Sequence, residues 1–168
     1  MMNEIRAYQQ ALVDRLKAQN CVTTLVTEQS FLTVPRHLFL PGEPLDQVYD
    51  DRSIVVRRDA EGELTSSSSQ PAIMAIMLEQ LGLKPGQRVL EIGAGTGFNA
   101  ALIASTVGPS GNVVTMDIQQ DLAEYARGRL DVAGYGWVQV VAGDGGYGYP
   151  EGAPIGVKLR GSKRDNTW

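Results

Sequence analysis

Two hydrophobic periods divide this chain. Over residues 3–19, Ile5, Tyr8, Leu12, Arg15 and Leu16 fall mostly on one face of a predicted helix, with Gln, Asp and Lys elsewhere. A second helix is predicted over 24–32. It must stop near Val34, because the residue before Pro35 is pushed out of the helical region. Residues 34–41, bounded by prolines, read as an extended segment, and 42–62 are mixed and polar, with one β-like piece at 53–56. A serine-rich run at 65–71 borders a predicted helix over 72–81. Pro71 suits a first helical turn with a hydroxyl or amide just ahead as cap. On composition alone the serine run is a capping loop or a flexible linker.

From residue 88 the apolar runs become short and continuous. Val89, Leu90 and Ile92 form a strand that leads into Gly93, Gly95 and Gly97, and Ala100 to Ala104 follow as a buried helix. Residues 113–116 are a second strand ending at Asp117. A helix over 121–133 carries Leu122, Tyr125, Ala126, Leu130 and Ala133 on one stripe, and 137–141 is a third strand before Gly143-Asp144-Gly145. Strand, glycine turn, helix, strand and acid predict a βαβ unit with a right-handed crossover and a parallel sheet. Such sheets bind ligands beyond the carboxyl ends of their strands. Here three successive strands end in Glu91, Asp117 and Asp144, although Asp144 taken alone reads equally well as a turn aspartate.

The glycine spacing narrows the ligand. A dinucleotide fingerprint requires glycine at position 98, where Phe98 stands. A carboxylate at Glu91 repels a pyrophosphate and suits a phosphate-free ligand with a cationic centre, of which S-adenosylmethionine is an example. Glycines at the turn let the backbone approach such a ligand closely. Asp117, twenty residues after Gly97, stands where nucleotide-binding folds place a ribose-binding carboxylate. The bland alternative is a tight strand-to-helix turn that binds nothing.

Composition excludes more than it selects. A chain of 168 residues is about one domain and large enough for a proper core. The net charge of -4 disfavours nucleic acid as a partner. Cys21, the single cysteine, rules out an internal disulfide and fits a reducing compartment. Neither a signal-peptide core nor an apolar run of membrane-spanning length is present, so the expected setting is cytoplasmic and away from membranes. His37 is the only histidine, no G-x-S-x-G elbow occurs, and zinc would lack ligands, so no metal is expected. His37 reads as packed or surface-lying rather than as a base. Methyl transfer to a carboxylate asks for less, because an acceptor with a pKa of about 4 is already ionised at neutral pH. Alignment and a dry site then supply most of the rate, and a serine hydroxyl ahead of a helix could hold the acceptor.

Four segments, taken in order, resemble the protein-L-isoaspartate (D-aspartate) O-methyltransferases, class I enzymes that use S-adenosylmethionine. Val34-Pro-Arg-His-Leu-Phe-Leu-Pro41 resembles the family's V-P-R-H-x-F-V, and Ser67-Ser-Ser-Gln-Pro71 stands where it has T-I-S-Q-P. Residues 83–97 are similar to its cofactor motif, and 143–154 to its G-D-G-x-x-G-x-P segment. The resemblance implies an α/β fold with a Rossmann-like, three-layer α/β/α sheet under an N-terminal helical cap. It implies that Gly93, Gly95 and Gly97 line the methionine and ribose portions of the cofactor, that Asp117 holds the ribose hydroxyls, and that Asp144 reads the adenine amino group. Ser67, Ser68, Glu91, Asn99, Ile118, Gly143 and Gly145 complete the implied cofactor set. Ser69 matches the active-site serine that clamps the accepting carboxylate of a protein or peptide substrate.

Two departures accompany the resemblance. The run Ser67-Ser68-Ser69 looks like a branch that methylates ordinary aspartates in modified precursor peptides, which leaves isoaspartyl and aspartyl acceptors both open. Beyond Pro154 the family continues with further strands, whereas this chain offers only alternating Ile155, Val157 and Leu159 as a short edge strand before a polar, basic end. The expectation is a truncated or frameshifted product with an incomplete sheet, impaired cofactor affinity and a disordered tail. It divides into a cap at 1–64, a cofactor-binding core at 65–154 and a tail at 155–168. The competing readings are a methyltransferase with another acceptor and a non-catalytic remnant that only binds cofactor or peptide.

Overall fold

The computed structural model describes residues 2–58, 60–62, 64–152 and 156–160. Helix α1 (Met2–Ala18) buries Gln9, Leu12, Val13 and Leu16. Helix α2 (Leu25–Thr33) is capped by the Thr24 hydroxyl, which accepts the Thr27 N–H at 3.3 Å. It is capped again from α4 (Pro71–Leu81), whose Glu79 carboxylate accepts the N–H groups of Thr23 and Thr24 at 2.9 Å each. Burial opposes charge on Glu79, but these bonds outweigh it and hold its pKa down at about 2.

Three local expectations are corrected. Residues 34–41 are not extended throughout, because Arg36–Phe39 forms a 3-10 turn that carries the side chains of Arg36 and Phe39 wholly into the core. Nor is the serine run a loop or linker. Leu64–Ser68 forms strand β2, antiparallel to β1 (Ile54–Arg58), with Ile54 opposite Ser68. Pairing across the hairpin overrides the weak strand preference of serine. Finally, no hydroxyl or amide just ahead caps α4. Asp51, which follows the short helix α3 (Leu45–Val48), accepts the Ala72 N–H at 2.8 Å and a Gln70 Nε2 hydrogen at 3.1 Å.

The main sheet is parallel, with the order β5-β4-β3-β6 for β3 (Arg88–Ile92), β4 (Asn112–Asp117), β5 (Gln139–Ala142) and β6 (Val157–Arg160). The edge strand expected after Pro154 thus exists over 157–160. Ile155 and 161–168, with the expected disorder of the tail, lie outside the described residues. Helices α5 (Phe98–Val107) and α6 (Gln120–Val132) join the strands on one face. There Val89, Val113 and Val140 share one core with the buried residues of α1, α2 and α4. The hairpin crosses the expected boundary at residue 64, so cap and sheet are packed together. The other face, with Leu90, Val114 and Met116, is covered among the described residues by Ile92, Val141 and Tyr149 rather than by a helix layer. No described helix is long and apolar enough to cross a membrane.

The strand order reverses beside β3, since β4 flanks it on one side and β6 on the other. Crevices for ligands open at such reversals, outside the carboxyl ends of the strands. The end of β3 is where the glycine turn begins.

Candidate active site

Glu91 reaches the carboxyl edge of the sheet from inside β3 and is only 2% exposed. It accepts hydrogen bonds from the Thr115 hydroxyl at 2.6 Å and from Asn99 Nδ2 at 2.7 Å. Burial raises its pKa to about 7 against the pull of those two bonds, and the neighbouring Asp117 pushes the same way.

The glycine turn is hung on the end of β4. The N–H groups of Gly93 and Ala94 both donate to the Met116 carbonyl, at 2.7 and 2.9 Å. The Gly95 N–H donates to Asp117 Oδ2 at 3.1 Å. Gly93 has φ +100, and a Cβ there would meet nothing within 4 Å, so the turn presents bare backbone to open space. Gly97 serves a different end: at φ +86, its Cβ position lies 3.2 Å from both the Ala126 carbonyl and Leu130 Cγ. Its bareness lets α5 and α6 approach, and it is not among the residues lining the cleft.

A cleft of about 140 Å³ lies between this turn and the hairpin. Ser67, Ser68 and Ser69 line one side, with Glu91, Gly93, Gly95 and Asn99 on the other. Ile73, Met74, Met77 and Phe98 supply an apolar wall. The sequence reading missed that wall, because a helical stripe facing a cleft has the same spacing as one facing a core. Thr115 was also missed. Its only signal was a lone hydroxyl in an otherwise apolar strand. Two of the residues lining the cleft carry a buried atom without a partner among the described residues, Oγ of Ser68 and Oδ1 of Asn99. Groups of this kind are rare in native proteins and point to a ligand or ordered water.

The remaining candidates extend the same edge over β4 and β5 rather than lining the cleft. Asp117 Oδ1 accepts the Gln119 N–H at 3.1 Å, and Ile118 beside it is 66% exposed. The Gly143 N–H donates to the Asp117 carbonyl at 2.8 Å. A Cβ on Gly145 would lie 2.5 Å from Ile92 Cγ2, so only glycine lets this turn settle against β3. Asp144 is exposed and accepts the Gly146 N–H at 2.8 Å. Glu91, Asp117 and Asp144 therefore share one sheet edge. His37 is not among the residues lining the cleft; its Nδ1 lies 2.8 Å from the Tyr49 hydroxyl, and burial lowers its pKa.

This site presents acceptor oxygens, one buried carboxyl and a hydroxyl-bearing strand to a small, mostly apolar space.

Residues 7–164 match the profile of the protein-L-isoaspartate(D-aspartate) O-methyltransferase family. The protein-L-isoaspartate O-methyltransferase of Methanopyrus kandleri is 39% identical over 150 residues, covering 89% of this chain and 64% of that protein. The Thermotoga maritima protein of the same name is 44% identical over 130 residues, or 77% of this chain and 40% of the relative. The chain thus spans less than two thirds of the length of these relatives. A solved protein-L-isoaspartate O-methyltransferase superposes with a TM-score of 0.82 at 39% identity, over 90% of this chain and 47% of the other. A provisionally named Plasmodium falciparum member in complex with S-adenosyl-L-homocysteine matches at TM-score 0.64 and 19% identity, over 74% of this chain and 56% of the other, which speaks for the fold alone.

Proposed function

Because the chain belongs to the protein-L-isoaspartate(D-aspartate) O-methyltransferase family, we propose that it methylates a carboxylate on an isoaspartyl or aspartyl residue of a protein or peptide, with S-adenosylmethionine as donor. The observation that carries this reading is the cleft itself. Unpartnered Ser68 Oγ and Asn99 Oδ1 lie beside buried Glu91, and Ser69 faces the same space.

The residues present fit the donor. Asn99 Oδ1 and Glu91 offer acceptors to an ammonium group, and Ser68 Oγ offers a donor to a carboxylate, which together describe the ends of an amino acid. The bare turn at Gly93 and Gly95 admits the middle of the molecule. The cleft holds only part of it, and the nucleoside would lie along the open edge toward Asp117, Ile118, Gly143, Asp144 and Gly145, while Gly97 acts through the packing of α5. When bound, S-adenosylmethionine supplies a methyl carbon activated by an adjacent sulfonium. The chain's part is positional. Ser69, on the hairpin side, holds the acceptor oxygen in line; Ile73, Met77 and Phe98 exclude water, which strengthens every electrostatic contact inside. An acceptor carboxylate is ionised at neutral pH, so no side chain need take a proton. A cytoplasmic setting, where Cys21 stays a thiol, fits this work.

Incubation with methyl-labelled donor and paired isoaspartyl and aspartyl peptides tests the proposal. Base-labile label on either peptide is the expected result and identifies the acceptor. Base-stable label would indicate another acceptor, and no label with intact cofactor binding would indicate a binding protein only.

A further inference from the structure

Arg36 is wholly buried, yet it joins no ion pair among the described residues. Its guanidinium donates instead to three backbone carbonyls, those of Asp50 at 3.2 Å, Arg52 at 3.3 Å and Ser69 at 3.2 Å. Its charged carbon stands 5.7 Å from the centre of the Phe98 ring. Nε is left without a partner. Burial lowers the pKa to about 10, opposed by the nearby carboxyls of Asp51 and Asp50, and the group stays charged at neutral pH.

Holding a desolvated cation this way is costly unless the geometry it enforces matters. Two of its contacts flank the cleft: Ser69 is on the hairpin side, and Phe98 opens α5 on the other. The planar fork of arginine can span carbonyls from separate segments, which an ammonium cannot match. The grip continues past Ser69, where Asp51 holds Gln70 Nε2 and the Ala72 N–H. The glycine turn needs no such help, because it hangs on the Met116 carbonyl and Asp117.

From this geometry we infer that Arg36 is a positioning residue for the methyl acceptor: it fixes the backbone of Ser69 against the glycine turn, whose own anchors on the Met116 carbonyl and Asp117 are independent of it. The inference rests on the proposed function for its catalytic readout and stands without it for its structural one.

Two variants, R36M and the milder R36K, separate the possibilities. Hydrogen exchange on the full chain should show amides at 66–72 exchanging about tenfold faster in R36M, while those of β3 and the glycine turn at 88–95 stay within about twofold of wild type. A uniform rise, or none at 66–72, overturns the inference whatever the enzyme's activity. In methylation assays, R36M should lower kcat/KM for the peptide about 30-fold, clearly more than it weakens the Kd for S-adenosylhomocysteine, which moves only as far as Ser68 is loosened with its neighbour. In an S69A background the same change should cost less than about threefold, since both act through one contact. Losses that multiply independently would make Arg36 merely structural. R36K should fall between wild type and R36M on both readouts, and it serves as the test if R36M fails to fold. Wild-type chain that transfers no methyl group would refute the proposed function and leave the grip of Arg36 on Ser69 to the exchange pattern, whereas S69A as active as wild type would overturn the positioning role of Arg36 and not the proposed function.

Discussion

Asp117 Oδ2 accepts the backbone N–H of Gly95 at 3.1 Å, tying the end of β4 to the glycine turn that follows β3. One carboxylate therefore both shapes the turn and faces the open sheet edge. Its second oxygen accepts the Gln119 N–H at 3.1 Å and starts the path into α6.

Removing that carboxylate should cost binding more than folding. D117A is expected to weaken S-adenosylhomocysteine binding about 10- to 100-fold, in keeping with hydrogen bonds to a charged group worth about 1.5–3 kcal/mol. D117N keeps one acceptor and should fall in between. Calorimetric titration of the three proteins checks the order.

Gly97 and Gly93 should fail in different ways when a methyl group is added. G97A strains a positive φ and drives Cβ against Ala126 and Leu130, so a loss of about 2–4 kcal/mol and a fall of about 5–10 °C in Tm are expected. G93A shares the positive-φ strain but meets no protein atom, and its methyl group would enter the space proposed for the ligand. Its larger effect should be on cofactor affinity. Thermal unfolding beside titration distinguishes the two.

Glu91 makes the stability of the ligand-free protein depend on pH. Its folded pKa of about 7 lies above the ordinary 4.5, so between those values the folded chain holds a proton that the unfolded chain has released. This group's contribution therefore falls as pH rises from about 4.5 to about 7 and levels off above that. A cationic ligand favours the ionised form, so S-adenosylmethionine should bind more tightly at pH 8 than at pH 6. E91Q should flatten both trends. Urea unfolding and titration at several pH values provide the check.

Ser69 should matter to turnover alone. S69A is expected to lower kcat about 10- to 100-fold while the Kd for S-adenosylhomocysteine stays within about threefold. A matching loss of cofactor affinity would mean the serine serves the donor instead.

Much of the site was legible because strand-turn-helix patterns are local. Val89 to Ile92, the three glycines and Asp117 announce their places through spacing, and the parallel sheet follows from short apolar runs parted by helices. The resemblance carried Ser69 into the same cleft, where composition alone had made its neighbourhood a linker. Residues 34–41 and 65–68 were misread for a shared reason: their conformations are set by partners distant in sequence. Ser67 pairs with Val55, and Arg36 turns inward to reach Asp50, Arg52 and Ser69. The cap on α4 comes from Asp51, twenty-one residues before Ala72, where no neighbour rule would look.

By itself, then, the sequence determined the order of the elements, the βαβ core, the glycine turn and the acids at the strand ends, since each depends on residues within a few turns of one another. Only the tertiary structure decided which of those groups meet. Burial made Glu91 a carboxyl with its pKa about 7, the approach of α6 turned Gly97 into a packing glycine, and folding the hairpin over the turn left Ser68 Oγ and Asn99 Oδ1 buried without partners among the described residues. Desolvation and close contact arise between segments far apart in the chain, and they exist only once the core has closed around them.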